Sequence, residues 1–441
     1  MSHSNAGEVA PQFPSLPLEI VEEVATHASD KQTCIAASTV NQTWLSAFTP
    51  RLFAYVVLGK HFMKPPSTPF SSDNERLLSC VTTVKVHGIY TALANEKLLA
   101  VLNILPRLES LELRDVGFGW DRATLQSTKL LRQVLEKESL KRLSVEFSAD
   151  HFSGFPLVLV PFCRQILSLS LEDTTVLYPL FVERQDAFSA LTRNLKSLSC
   201  SQLIPMALRS LRLSGNGLIS RFAHFHSQHL EQLTLNSVER LELDYIDSRT
   251  GTPSRAVGEL LRTFGSSVQV LSISVCRPGD PQGGHPLNTV DLQNLHQLRT
   301  LELTLTMVDR EADSDLSVFT RTWACHILEA LSMKESITKI AITCQMNSQC
   351  VSSGYFSSSL NLVYPVLDFA LGHQAGFLGL KECRIVFKLG GRAVCMTPAG
   401  SPDDRGGIDE EPLENKFPSI QQRRISFDAV SILENLQNSG A

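Results

Sequence analysis

The chain has 441 residues, 43% of them hydrophobic and 19% charged, with 40 Lys+Arg against 45 Asp+Glu for a net charge of −5. A sequence this apolar is expected to bury a core, which excludes wholesale disorder, and its slight acidity argues against nucleic-acid binding driven by a basic face. The longest strongly apolar stretch, 155–162, is 8 residues, where a membrane-spanning helix needs about 20, so a membrane is not an expected partner. The opening twelve residues lack the apolar run of an export signal. The 10 cysteines are dispersed, form no C-x-x-C and mostly sit in apolar runs. They read as small buried hydrophobes in a reducing cytoplasmic or nuclear setting.

A polar leader over 1–12 precedes a helical module over 13–58. Leu16-Pro17 after Ser15 marks a first turn, since proline's missing N–H would be unpaired there anyway. Glu19, Glu22 and Glu23 complement the helix dipole, and Leu16, Ile20, Val21 and Val24 are expected on one face. A second helix is expected over Lys31–Ser38, burying Cys34, Ile35 and Ala37. A third runs from the cap Asn41 through Phe48, with Trp44, Leu45 and Phe48 apolar and Pro50 expected to end it. Leu52, Phe53, Tyr55 and Val57 then lead into an extended segment. Such a small domain needs a neighbour. It is either a cap on a larger core or a docking module whose leftover apolar surface is the interface.

A Pro/Ser-rich linker over 59–75 leads to a long array over 76–390. A phrase of the form apolar-x-x-apolar-x-apolar recurs there: VTTVKV (81), LESLEL (108), LKRLSV (140), ILSLSL (166), LKSLSC (195), LRSLRL (208), LEQLTL (230), VERLEL (238), VQVLSI (268), LRTLEL (298), ITKIAI (337) and LKECRI (380). Its last two apolar positions are two apart, the period of one strand face. The phrases at 230 and 238 are too close for both to be full repeats. Amphipathic stretches between phrases predict helices over 96–105, 124–138, 255–264, 316–333 and 362–371. A repeat with one buried face cannot stand alone, so stacking is expected to stabilise it. A doubly wound sheet also alternates strands and helices, but no G-x-G-x-x-G opens a helix here.

The residues between the strand leucines form an outward row rich in Ser and Thr with scattered charges. The candidate binding positions on it are Glu112, Arg114, Arg142, Ser144, Ser170, Glu172, Ser199, Arg212, Thr234, Ser272 and Glu302. Such a face can hold a protein ligand through many modest hydrogen bonds, each worth about 1 kcal/mol net.

Nothing in the sequence nominates catalysis. His224, His226 and His229 have no cysteine or carboxylate at metal-ligand spacing nearby, and they read as ordinary histidines of a loop or helix face. Cys325 and His326 are adjacent, so on a helix they point apart. G-x-S-x-G and Walker A motifs are absent. The protein is therefore expected to be no enzyme and to need no metal or cofactor. Residues 391–441 read as a flexible tail, rich in Pro, Gly and acidic residues, with a short amphipathic helix expected over 428–436. Arg423-Arg424-Ile425-Ser426 within it matches the pattern of a basophilic kinase site.

Two resemblances tie these pieces together. Leu16, Pro17, Glu19, Ile20, Val21 and Val24, then Ile35, then Val40, Trp44, Pro50, Leu52 and Phe53 resemble an F-box across 16–58. The match departs from that family at Ala28, where a large aliphatic residue is usual, and at Asn41-Gln42-Thr43, where a basic residue is usual. The array is similar to irregular leucine-rich repeats, a strand and a helix per unit. The Asn or Cys that normally follows each phrase is mostly missing, although Asn216 and Asn236 stand close. The implied fold is α/β: a short three-helix F-box-like module followed by a leucine-rich-repeat-like β/α solenoid. The implied role is that of a substrate receptor in an SCF-type cullin–RING ubiquitin ligase. Its partners would be a Skp-type adaptor, a cullin reached through that adaptor, and a protein substrate of unknown identity. Leu16, Pro17, Ile20, Val24, Ile35, Val40 and Trp44 would then face the adaptor or directly support the surface that does. A non-ligase scaffold with a capping module is the alternative.

Overall fold

The computed structural model describes residues 16–28, 30–59, 74–88, 95–114, 124–147, 157–173, 207–228, 237–246, 252–276, 292–307, 324, 326–331, 334–347, 367–369, 371, 377–390 and 426–433. Three helices come first: α1 (Leu18–His27), α2 (Lys31–Ser38) and α3 (Gln42–Phe53). Pro17 caps α1, and its carbonyl accepts the N–H groups of Ile20 and Val21. The carboxylate of Asp30 caps α2, accepting from the Thr33 backbone N–H at 2.7 Å and from its hydroxyl at 2.6 Å. Asn41 caps α3 by accepting from Trp44 N–H at 3.1 Å. A small core of Val21, Ala25, Cys34, Ala37, Ala47 and Phe48 joins the helices, with Trp44 stacked on Phe48 at 5.7 Å between centroids. Arg51 donates to the carbonyls of Thr26 and Ala28, tying α3 to the open C-terminal end of α1.

Three local expectations are corrected here. The expected single apolar face of α1 divides, because Val21 and Ala25 turn inward while Ile20 and Val24 turn outward. Ile35 is exposed instead of buried, since Cys34 and Ala37 take the inward face of α2. Pro50 does not end α3. The missing N–H removes one helical hydrogen bond, but Leu52 beyond it packs on the module core and carries the helix on to Phe53.

The chain then enters a parallel open sheet: β1 (Tyr55–Leu58), β2 (Thr83–His87), β3 (Ser110–Arg114), β4 (Arg142–Phe147), β5 (Ser168–Asp173), β6 (Ser210–Ser214), β7 (Arg240–Ile246), β8 (Val270–Cys276), β9 (Thr300–Met307), β10 (Lys339–Asn347), β11 (Glu382–Gly390) and β12 (Ser426–Leu433). The 12 strands lie in sequence order, and each pairing is parallel. A doubly wound sheet reverses its strand order at a switch point. This sheet has no reversal, and its architecture is solenoid-like. Helices α4 (Glu75–Leu78), α5 (Glu96–Ile104), α6 (Leu125–Leu135), α7 (Asn216–Gln228), α8 (Thr252–Phe264) and α9 (His326–Ala330), together with 3₁₀ turns at Leu157–Phe162 and Lys334–Ser336, lie in the connections. Helix α5 packs on α6, and α7 on α8. Of the predicted helices, those at 96, 124 and 255 are seen nearly in full. Within those at 316 and 362 the described residues are 324, 326–331, 367–369 and 371, with a helix at His326–Ala330.

The repeated phrase sets the register. Its third residue pairs with the third residue of the next phrase from Thr83 and Ser110 through to Lys339 and Glu382. Each apolar position of the phrases on β2 to β11 is buried in one continuous core. Strand β7 is the phrase at 238, and β6 pairs directly with it, as β5 does with β6. The phrases at 195 and 230 lie outside the described residues.

Where the usual turn asparagine is missing, backbone and serine take over. At the entry of each strand from β2 to β11 two successive N–H groups share one carbonyl of the preceding segment, as Lys141 and Arg142 share Glu109 O. Ser237, Ser267 and Ser336, each just before a phrase, donate to the carbonyls of Leu208, Val238 and Leu298 at 2.8–2.9 Å.

The tail is corrected as well. Residues 426–433 form β12 beside β11, not the helix expected over 428–436, so the tail contributes a strand to the array. Alternating Phe427, Ala429 and the residues between them also suit the period of a strand, and a neighbouring sheet edge decides for it. No helix among the described residues is long and apolar enough to cross a membrane.

Candidate functional site

Two surfaces emerge, one on the module and one on the sheet. On the module, Leu16, Ile20, Val24, Ile35 and Val40 all lie outside its core, and so do Leu18, Leu45 and Phe53. Their exposures run from 40% to 61%, on a domain whose core is separate from that of the array. Large apolar groups left exposed are the raw material of an interaction surface where they lie together. Trp44 has a different place: it is half-buried, stacked on Phe48 and packed against the module core. Pro17 sets the start of α1 through its backbone.

On the sheet, the outward residues form three rows across the strands. The first contains Thr83, Ser110, Arg142, Ser168, Ser210, Arg240, Val270, Thr300, Lys339 and Glu382. The second contains Lys85, Glu112, Ser144, Ser170, Arg212, Glu242, Ser272, Glu302, Ala341 and Arg384. The third begins His87, Arg114, Glu146, Glu172, Ser214 and Asp244. Nine of the eleven candidate positions on this face are thereby placed on it in register, whereas Ser199 and Thr234 lie outside the described residues.

The charges of the face are organised into pairs. Arg114 lies 3.7 Å from Glu112 and 3.6 Å from Glu146. Glu242 takes Arg240 at 2.5 Å and Arg212 at 3.9 Å, and Arg240 reaches across β8 to Glu302 at 3.5 Å. Lys339 bonds Glu382 at 2.7 Å. The hydrogen bond to Glu242 pushes the Arg240 guanidinium above its ordinary pKa; burial opposes this, and the charges of Glu242 and Glu302 add to it. Such half-exposed pairs stabilise by about 0–1 kcal/mol each. Their larger effect is to hold long side chains in place across a sheet of small hydroxyls.

Arg240 and Glu242, the centre of this network, are not among the expected positions, because the phrase at 230 competes with the phrase at 238 and supplies Thr234 in their place. The signal was present: the phrase at 238 is preceded by Ser237, as those at 268 and 337 are by Ser267 and Ser336.

The histidine cluster separates in space. His226 is buried against the edge of Phe264 at 5.3 Å, His224 faces solvent on the same helix, and His229 lies outside the described residues. Among the described residues no group of three His, Cys, Asp or Glu could hold a metal ion. Burial pushes the thiols of Cys163 and Cys383 up to about 12, which suppresses the thiolate a nucleophile needs. Cys325 is outside the described residues. No protein-family model matches the chain, and no curated protein matches it.

Proposed function

We propose that the protein is the substrate-recognition subunit of an SCF-type cullin–RING ubiquitin ligase. The N-terminal module, F-box-like in sequence, docks a Skp-type adaptor and through it a cullin. The array, similar to irregular leucine-rich repeats, holds a protein substrate on its outward sheet face. The observation that carries this reading is the concentration of exposed aliphatic residues on a module with a core of its own. The chain supplies no catalytic group and no cofactor in this mechanism. It works by proximity, since bringing a substrate beside a conjugating enzyme turns a bimolecular encounter into a local one. The cytoplasm or nucleus is the corresponding site of action.

The test is binding of a purified Skp-type adaptor to the full chain. Leu16→Ser, Ile20→Ser and Val40→Ser together remove exposed aliphatic surface without touching the module core. The expected result is tight binding by the wild-type chain and at least about a hundredfold loss in the triple variant, because buried apolar anchors dominate such interfaces. Absence of wild-type binding overturns the proposal. Trp44→Ala is a poorer probe, since it loosens the module as well.

A second reading, a non-ligase scaffold capped by the module, is favoured by one observation. Helix α3 runs into β1, whose partner is β2, and Arg76 beside the array donates to Ser46 of α3 at 2.6 Å. In that reading the triple variant changes no partner binding.

A further inference from the structure

We propose that the outward face of strands β1 to β4 docks an extended protein segment in which an apolar side chain is followed a few residues on by an acidic one. The inference deepens the reading of the sheet as a protein-binding face and rests on it, but it does not require the adaptor. Leu58 of β1 lies in the array core and Val56 packs against that core, so the alternate residues Tyr55 and Val57 stand on the outward side. They are 49% and 55% exposed, an aromatic and a β-branched side chain on a face built largely of hydroxyls and charges.

In register beside Tyr55 come Thr83, Ser110 and Arg142, and beside Val57 come Lys85, Glu112 and Ser144. Two cations of this group lack a counter-charge. Glu112 and Glu146, the acids on the outward rows of these strands, both lie against Arg114, at 3.7 and 3.6 Å. No carboxylate among the described residues pairs with Lys85 or Arg142. Ser110 adds an independent mark: it is only 8% exposed, and its hydroxyl has no hydrogen-bond partner among the described residues. Buried polar groups are normally matched, and an oxygen brought to the in-register neighbour Arg142 supplies the missing acceptor.

Adjacent strands are about 4.8 Å apart, so three spacings separate Tyr55 from Arg142 by about 14 Å. An extended segment crossing the strands advances about 3.3 Å per residue and spans that gap in roughly four residues. Its apolar side chain covers Tyr55 and Val57, and the carboxylate further on meets Arg142, with Lys85 adding positive charge between them. Guanidinium and carboxylate are both planar, and two parallel N–H···O bonds fix the direction of that contact. Tyr and Arg are also residue types enriched among interface anchors. Farther along the array the cations are already engaged: Arg212, Arg240 and Lys339 have carboxylates at 2.5–3.9 Å. Unmatched charge and exposed apolar surface therefore coincide at β1 to β4.

The experiment selects a displayed library of randomised short peptides against the full chain and measures the enriched peptides by fluorescence anisotropy. The expected result is enrichment of a large apolar residue followed about four positions on by Asp or Glu. Tyr55→Ser and Arg142→Glu should each weaken these peptides about tenfold or more. Lys97→Glu makes the same cation-to-anion change at an exposed position of α5 and should leave binding within about twofold. Lysine in place of the acidic residue should abolish binding to the wild-type chain and restore it in Arg142→Glu. A library without that pattern, peptides indifferent to Tyr55→Ser and Arg142→Glu, or an equal loss in Lys97→Glu would each overturn the proposal. So would self-association of the chain that Tyr55→Ser abolishes, which gives the patch to a second copy. Failure here with the adaptor still bound leaves the ligase reading intact, whereas peptide binding by a chain that binds no adaptor removes that reading alone.

Discussion

The module and the array use aliphatic residues in opposite ways. In the array, each phrase leucine finds the next repeat's leucine beside it, so stacking buries the whole row. In the module, Val21, Ala25 and Phe48 satisfy a small core, while Ile20, Val24, Ile35 and Val40 are left facing outward. One region completes itself by repetition. The other leaves large apolar groups exposed beside a core of its own, and the proposed docking role rests on that contrast.

Core truncation in the array should give the largest effect. Leu271 on β8 is fully buried, and Leu271→Ala should cost about 2–5 kcal/mol in urea unfolding. Ile20→Ser should stay within about 0.5 kcal/mol; an equal cost at the two sites would erase the contrast. Next comes Gly379, where an added Cβ would fall on the carbonyl oxygen of Glu335 in the preceding connection. Gly379→Ala should destabilise by about 1–3 kcal/mol, with the loss in hydrogen exchange confined to β10 and β11. A smaller effect is expected at Glu242, whose pairs with Arg240 and Arg212 are half exposed. Glu242→Gln should cost less than about 1 kcal/mol, and less again at high salt, if the pairs organise the face more than they stabilise it.

The smallest effect separates the regions by pH. The Thr33 hydroxyl, followed by its backbone N–H, holds the Asp30 carboxyl below its ordinary value of 3.8. A carboxyl depressed by folding contributes fully above 3.8 and loses that contribution as pH falls through the still lower folded value. Circular dichroism of the module should therefore show an acid loss that Asp30→Asn, which retains a capping oxygen, flattens. An unaltered acid profile in Asp30→Asn would remove the cap from the comparison.

Much of the fold was legible because its signals are local. The period of two in each phrase marks strands, and its first, fourth and sixth residues mark the core. Asn41 and Thr124 cap helices at the positions where polar residues precede apolar runs. Less was legible where a residue's neighbours come from another element. Pro50 marks a helix end, and packing of Leu52 overrides it. Ile20 and Val21 are equally apolar, yet only one meets α3's side of the module. The stretch around Asp428 suits a helix as well as a strand until β11 offers an edge.

The sequence by itself determined the class of structure: a parallel array of strand phrases behind a small helical head, with a row of hydroxyls and charges facing out. Those features follow from side-chain periodicity, which each segment carries alone. Only the tertiary structure decided which phrase of a competing pair becomes β7, and that Arg240 spans two strands to reach Glu302. It also decided that the tail returns as a strand and that the module's aliphatic residues stay uncovered. Each of those depends on what another part of the chain places within a few ångströms, and no local pattern carries that information.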